Sequence, residues 1–400
     1  MTAHAWWPTT AATDFLSPAV VVAGRGASAR AAAVLADHLG IREGAVLVAV
    51  DDIVANAGLT DALVDGLKEA GYSVAVEGGF GSEPTDDVID AIAERARRVG
   101  AVAVVGIGGG SVLDSSKILA LLIRNDGSAA DWVGSVSPSQ GVAPLLLVPT
   151  TSGTGSEATR IAMLTVRGVK RASSSPLYIP RAVIIDPDLV ASLPAGVVAS
   201  TGMDALAHAV ESLMSTQRSP LSAHHALRAI ELLVANLEDA AAGHAEARAR
   251  CLWASHLAGQ ALNAGVVVGH SLAYCLAYEH PMPHGTSCAL ALPYCLAYNR
   301  NLDPEIAADL ASALTAGRSV DLRDAAQEVF ELAARLGLPV TLDDAGIPEG
   351  AERGIAERCV TEYPRPTNPQ PLDVEDLDVL VRAMRGGDLD AAFGAVAVAR

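Results

Sequence analysis

The chain has 400 residues, 50 % apolar and 18 % charged, with 28 basic against 46 acidic side chains and a formal net charge of −18. That balance excludes nucleic-acid binding or docking on an anionic membrane as a main activity, since both need clustered positive potential. No apolar run of eighteen residues and no charged-then-apolar leader occurs, so a cytoplasmic, globular protein is expected, long enough for two domains.

In chain order, the first half alternates short apolar runs with helical patterns. Residues 20–23, 46–50, 74–76, 101–107, 145–148 and 182–185 are rich in Val, Ile, Leu and Ala and read as buried strands, with helices expected over 29–38 and 85–99. Strands alternating with helices imply an α/β domain with a mostly parallel, doubly wound sheet. After Asp186-Pro187-Asp188 the strand signal stops, and from Pro194 the sequence is Ala/Leu-rich and helical, as in 222–237, 244–263 and 320–336. The expected division is an α/β domain over 1–190 and an all-α domain over 191–400. Aromatic residues are only 4 %, so both cores must be built from small aliphatics.

Three features of the α/β half suggest a dinucleotide. The second strand ends at Val50-Asp51-Asp52, where a carboxylate can accept from a ribose 2′-hydroxyl and repel a 2′-phosphate, which favours NAD(H) over NADP(H). Asp is also a common residue of solvated turns. The fourth strand runs into Gly108-Gly109-Gly110-Ser111 and a helix start, and the fifth into Pro149-Thr150-Thr151-Ser152-Gly153-Thr154-Gly155-Ser156-Glu157. A glycine loop between strand and helix leaves amides that can meet a phosphate at the positive end of the helix dipole. Neither loop has the G-x-G-x-x-G spacing. Asp114 can contribute to such a site or cap the following helix.

The helical half carries a candidate metal site. Asp204 and His208 lie four apart in a helical pattern, so they leave one face a turn apart, and His270 and His284-Gly285 follow. A lone imidazole on an apolar helix is more often an ordinary buried side chain than a ligand. Three imidazoles with one carboxylate suit Fe²⁺ or Zn²⁺ better than Mg²⁺ or Ca²⁺. Of the five cysteines, at 251, 275, 288, 295 and 359, none forms a C-x-x-C pair. Packing as small hydrophobes is their default reading, although Cys288 falls four residues after His284.

Taken together, residues 108–117 (Gly-Gly-Gly-Ser-x-x-Asp-x-x-Lys), 149–157, Asp186-Pro187, the run from Ser200 to Glu211, and His270 with Pro283-His284-Gly285 resemble the successive motifs of the iron-containing (group III) alcohol dehydrogenases, in order across nearly the whole chain. The resemblance implies a dehydroquinate synthase-like fold, with cofactor and metal in the cleft between two domains. It implies a metal bound by Asp204, His208, His270 and His284. It also implies pyrophosphate binding by Gly109, Gly110 and Ser111, and ribose and nicotinamide contacts from Thr150, Thr151 and Thr154. By the same resemblance Asp51 matches the acidic position of NAD-preferring members, Lys170 falls near the ribose, and a homodimer is the expected assembly.

One position departs from the best-known pattern. Many members carry a second histidine four residues after the third ligand, where this chain has Tyr274. Tyr274 and His280 are the candidate proton carriers, though a phenol at its reference pKa of about 10 is a poor base near neutrality. The expected reaction is hydride transfer between nicotinamide and a small alcohol or aldehyde. Alternatives are a reductase of an anionic carbonyl compound similar to maleylacetate or phosphonoacetaldehyde, a dehydroquinate synthase-like lyase, and a silent assembly subunit.

Overall fold

In the computed structural model, which describes residues 13–279 and 282–395, each of the six apolar runs forms a strand. The strands in chain order are Val20–Ala23 (β1), Ala45–Val50 (β2), Ser73–Glu77 (β3), Ala101–Gly108 (β4), Gly134–Ser135 (β5), Leu145–Pro149 (β6), Ile161–Val166 (β7), Val169–Ser174 (β8) and Ala182–Ile185 (β9). Six of them pair in the order β1-β9-β6-β4-β2-β3, every neighbouring pair parallel. The inner strands β2, β6 and β9 are buried throughout, as a parallel sheet covered on both faces requires, whereas the edge strands β1 and β3 are partly exposed.

Alternation along β2 sorts the two layers. Leu47 and Ala49 pack with Ile89, Ile92, Leu113 and Ile118 on one face. Val46, Val48 and Val50 pack with Val34, Leu35, Leu63 and Leu67 on the other. The helices of this half are Ala31–His38 (α1), Asp52–Asn56 (α2), Asp61–Glu69 (α3), Asp86–Arg98 (α4) and Gly110–Leu122 (α5), and all but α2 supply these residues. Helix α4 begins where Thr85 accepts a hydrogen bond from the Val88 amide.

A second sheet, in the order β5-β8-β7, was not among the expected strands. Strands β7 and β8 are antiparallel and turn through Arg167 and Gly168, both at positive φ (50° and 77°). Positive φ at two central residues is the signature of a tight hairpin turn.

The remaining elements are helices: Ala195–Met214 (α6), Pro220–Ala241 (α7), Ala245–Leu262 (α8), Val268–Glu279 (α9), His284–Tyr298 (α10), Pro304–Leu314 (α11), Leu322–Arg335 (α12), Glu352–Thr361 (α13), Val374–Gly386 (α14) and Leu389–Ala395 (α15). Residues 285–298 of α10 are all buried, and α6 is nearly so from Val198 onward, so these two are core helices covered on every side. Backbone packing groups Leu16–Ser192 as one compact unit and the residues from Leu193 onward as another, with residues 13–15 grouped with the latter. Among the described residues no helix is long and apolar enough to cross a membrane.

Candidate metal centre and cofactor loops

Three helices of the helical unit converge on one carboxylate. Asp204 and His208 project from α6, His270 from α9, and His284 is the first residue of α10. The Asp204 Oδ1 atom lies 3.7 Å from His208 Nε2, 3.9 Å from His270 Nε2 and 3.7 Å from His284 Nε2. Donors about 2.1 Å from a tetrahedral ion are separated by about 3.4 Å, so these spacings are close to those of atoms sharing one cation. Asp204 is 3 % exposed, and an isolated carboxylate there would be costly. Burial alone raises its pKa, but the facing imidazoles of His208, His284 and His270, with a hydrogen bond from the Cys288 thiol, hold it below its ordinary value.

Orientation of His270 comes from Glu211, to which the sequence reading gave no role. Its Oε1 is 2.6 Å from His270 Nδ1, and its Oε2 accepts from the backbone amides of Val267 (2.8 Å) and His270 (3.1 Å). A carboxylate can only accept, so Nδ1 carries a proton, and Nε2 is the nitrogen turned toward Asp204 and available to an ion. The signal was present in the sequence: Asp204, His208 and Glu211 are spaced i, i+4, i+7, one face of a helix. Gly269 leaves room for this carboxylate, since a Cβ there would lie 2.5 Å from Glu211 Oε1. Gly285 has a similar purpose, because a Cβ would come within 2.0 Å of the Ser200 carbonyl oxygen. The glycine lets α10 meet α6 closely enough to place His284.

Around the ligands lies an aromatic cluster. The ring of Tyr274 stacks on His284 (centroids 5.1 Å, 14°), meets His270 edge-on at 6.2 Å and tilts against Tyr363 at 5.2 Å. The Arg365 guanidinium sits over the Tyr274 ring, 5.5 Å from its centroid. Burial pushes the Tyr274 phenol up to about 12. His280 lies outside the described residues.

In the α/β unit, the tips of three adjacent strands collect most of the expected cofactor residues. Strands β2, β4 and β6 are consecutive in the sheet, and their C-terminal ends lead into Asp51, Gly109-Gly110-Ser111 and Thr150-Thr151 respectively. Gly109 is the N-cap of α5, with no side chain capping the helix, which leaves its positive end to an anion. The two loops are in contact: a Cβ on Gly110 would lie 2.6 Å from Thr154 Cγ2, and one on Gly109 would lie 3.5 Å from Thr151 Cγ2. Glycine at 110 thus makes room for Thr154, and the uncapped start of α5 beside these threonines has the donors a pyrophosphate needs.

Three expected residues have protein partners of their own. Asp51 caps α2, its Oδ1 accepting from the amides of Ile53 (2.9 Å) and Val54 (3.3 Å). Asp114 lies inside α5 rather than at its cap. Its Oδ1 accepts from Ser156 Oγ (2.5 Å) and Lys117 Nζ (3.3 Å), and its Oδ2 from the Met163 amide (3.0 Å). Lys117 is fully buried, and its ammonium also donates to Ser156, Thr159 and the Ile161 carbonyl. Asp114 and Lys117 thus tie α5 to the loop after β6. Lys170 is on β8, 3.4 Å from Glu83, in the smaller sheet.

Comparison with known proteins agrees with these motifs. Residues 18–187 match the model of iron-containing alcohol dehydrogenases, and residues 198–384 match that of the C-terminal region of the Fe-containing alcohol dehydrogenase family. The chain is 36 % identical over 357 residues to long-chain-alcohol dehydrogenase 1 of Geobacillus thermodenitrificans, spanning 86 % of this chain and 90 % of that one. Among solved structures, a 1,3-propanediol oxidoreductase superposes with a TM-score of 0.87 at 30 % identity, covering 94 % of this chain and 100 % of its own. Sulfoacetaldehyde reductase from Bifidobacterium kashiwanohense in complex with NAD⁺ superposes with a TM-score of 0.85 at 28 % identity, covering 94 % and 99 %.

Proposed function

Because this chain belongs to the iron-containing alcohol dehydrogenase family and is an oxidoreductase of that type, we propose that it interconverts a small alcohol and its aldehyde with NAD(H) and a divalent metal, Fe²⁺ or Zn²⁺. The observation that carries the reading is the single Asp204 oxygen facing three imidazole nitrogens at 3.7–3.9 Å. When bound, the ion would supply Lewis acidity toward the substrate oxygen and the nicotinamide would supply or take the hydride.

The chain's own residues divide the remaining work. Asp204, His208, His270 and His284 hold the ion, and Glu211 keeps His270 in the tautomer that can bind. Gly109, Gly110 and Ser111 present the start of α5 to the pyrophosphate, while Thr150, Thr151 and Thr154 border the ribose and nicotinamide. Asp51 offers a carboxylate at the tip of β2 for the ribose hydroxyls, which favours NAD(H). Asp114, engaged by Ser156, Lys117 and Met163, positions the loop beside the cofactor. Burial keeps the Tyr274 phenol protonated at neutral pH, so Tyr274 can donate the proton in aldehyde reduction and take it back in the reverse reaction.

The test is anaerobic purification with metal analysis, followed by NADH and NADPH oxidation over a panel of small aldehydes, before and after chelation and metal add-back. About one ion per chain with chelator-sensitive, NADH-preferring turnover is expected. Metal-free protein with chelator-insensitive activity would overturn the ligand assignment.

A further inference from the structure

One side chain in the metal centre has no place in that scheme. Cys288 is the residue one helical turn after His284 on α10, on the same face, and it is 1 % exposed. Its Sγ lies 3.5 Å from Asp204 Oδ1, 3.7 Å from His284 Nε2 and 4.0 Å from His270 Nε2. One donor atom from each of Asp204, His270, His284 and Cys288 falls within 4.8 Å of the other three. These separations match those between Asp204 and its imidazoles, and they approximate the edges of a polyhedron around one ion.

The other cysteines define what ordinary packing looks like in this protein. Cys251 and Cys295 sit in the helical core, where burial raises both thiols, Cys251 to about 12. Cys275 and Cys359 face each other at 3.5 Å. Cys288 differs in having one carboxylate and two imidazoles around its sulfur, which is the environment of a ligand and not of a small hydrophobe.

We infer that Cys288 donates its sulfur to the ion held by Asp204, His208, His270 and His284, an inference that rests on the metal reading above. His208 is 3.7 Å from the same Asp204 oxygen, while the sulfur shares mutual spacing within 4.8 Å with Asp204, His270 and His284. On coordination the thiol proton, now donated to Asp204, leaves to solvent. A sulfur donor shifts preference toward Zn²⁺ or Co²⁺ relative to harder ions, and exposes the centre to oxidation.

Cobalt substitution tests this without relying on turnover. Metal-stripped full-length protein is loaded with Co²⁺ alone and its absorption recorded. The expected spectrum combines visible ligand-field bands with a near-ultraviolet thiolate-to-cobalt charge-transfer band. C288S and C288A are expected to lose the second while keeping the first. Cobalt uptake by the unmodified protein with ligand-field bands only overturns the inference and leaves the Asp/His site intact, as does a charge-transfer band that survives in C288S. Failure of the unmodified protein to take up cobalt would overturn the metal reading and this inference together. Because the unmodified protein alone can give an overturning result, the test stands even if C288A folds poorly.

Discussion

Glu211 grips His270 at two points, taking its ring Nδ1–H at 2.6 Å and its backbone amide at 3.1 Å. Ring and backbone are thereby fixed by one carboxylate, and the imidazole is set before any ion arrives.

Glu211→Gln should therefore weaken metal binding more than it weakens the fold. The amide oxygen can accept from the two backbone N–H groups or from His270 Nδ1–H, and the NH₂ then faces the other and cannot accept. A loss of about 10–100-fold in Zn²⁺ affinity is expected. Competition against a chromophoric chelator reads it directly, and unchanged affinity would remove Glu211 from the site.

Tyr274→Phe separates proton donation from packing. The phenyl ring keeps the stacking on His284 and the cation–π contact with Arg365 but cannot donate. Aldehyde reduction should slow by about 10²-fold in kcat with little change in KM. Because burial pushes the phenol up, the alkaline limb of the pH–rate profile below pH 10 should not move. Unchanged turnover would take tyrosine out of the mechanism.

Lys117→Met removes the cation from a buried network and leaves the Asp114 carboxylate with Ser156 and the Met163 amide only. Removing one partner of a buried pair costs about 3–5 kcal/mol. For a unit of this size, that corresponds to a Tm lower by about 10 °C, readable by calorimetry. A variant as stable as the parent would show that desolvation of the ammonium, which lowers its pKa, already cancels its contacts.

Alkaline pH should unfold the protein through its buried phenols. Burial raises Tyr178 and Tyr298 to about 12. Their folded values exceed the unfolded value of 10.0, so the folded state retains protons that the unfolded state releases. The stability they contribute is intact below pH 10 and is lost as pH rises through 12. The buried thiol of Cys251, raised from 9.0 to about 12, adds a loss that begins near pH 9, so thermal melts at half-unit steps from pH 8 to 12 should show Tm falling from about pH 9 and more steeply above pH 10.

How much of this was legible in the sequence varied with the physics of each element. Strands of a parallel sheet are buried on both faces and read as continuous apolar runs, so all six were visible. The β7–β8 hairpin was not, because Lys170, Arg171 and Ser173 dilute its pattern. The Arg167-Gly168 pair between Val166 and Val169 was its one local cue. Asp204, His208, His270 and His284 were found as residue types, but only folding shows that the four converge. Glu211 shares a helical face with Asp204 and His208, and Cys288 one with His284, but spacing shows only the shared face and not the contact. They acquire meaning through neighbours 59 and 84 residues away in sequence, and no local pattern encodes such pairings.

Position 51 is less free to vary than its place in a surface turn suggests. The carboxylate proposed to set cofactor preference is also the cap of α2, so charge and helix stability are inherited together. Replacement by Asn or Ser would discard the charge yet keep an acceptor for the Ile53 and Val54 amides. Ala would discard both and cost about 1 kcal/mol. A lineage drifting toward a phosphorylated ribose would thus pass through a narrow set of side chains at this point.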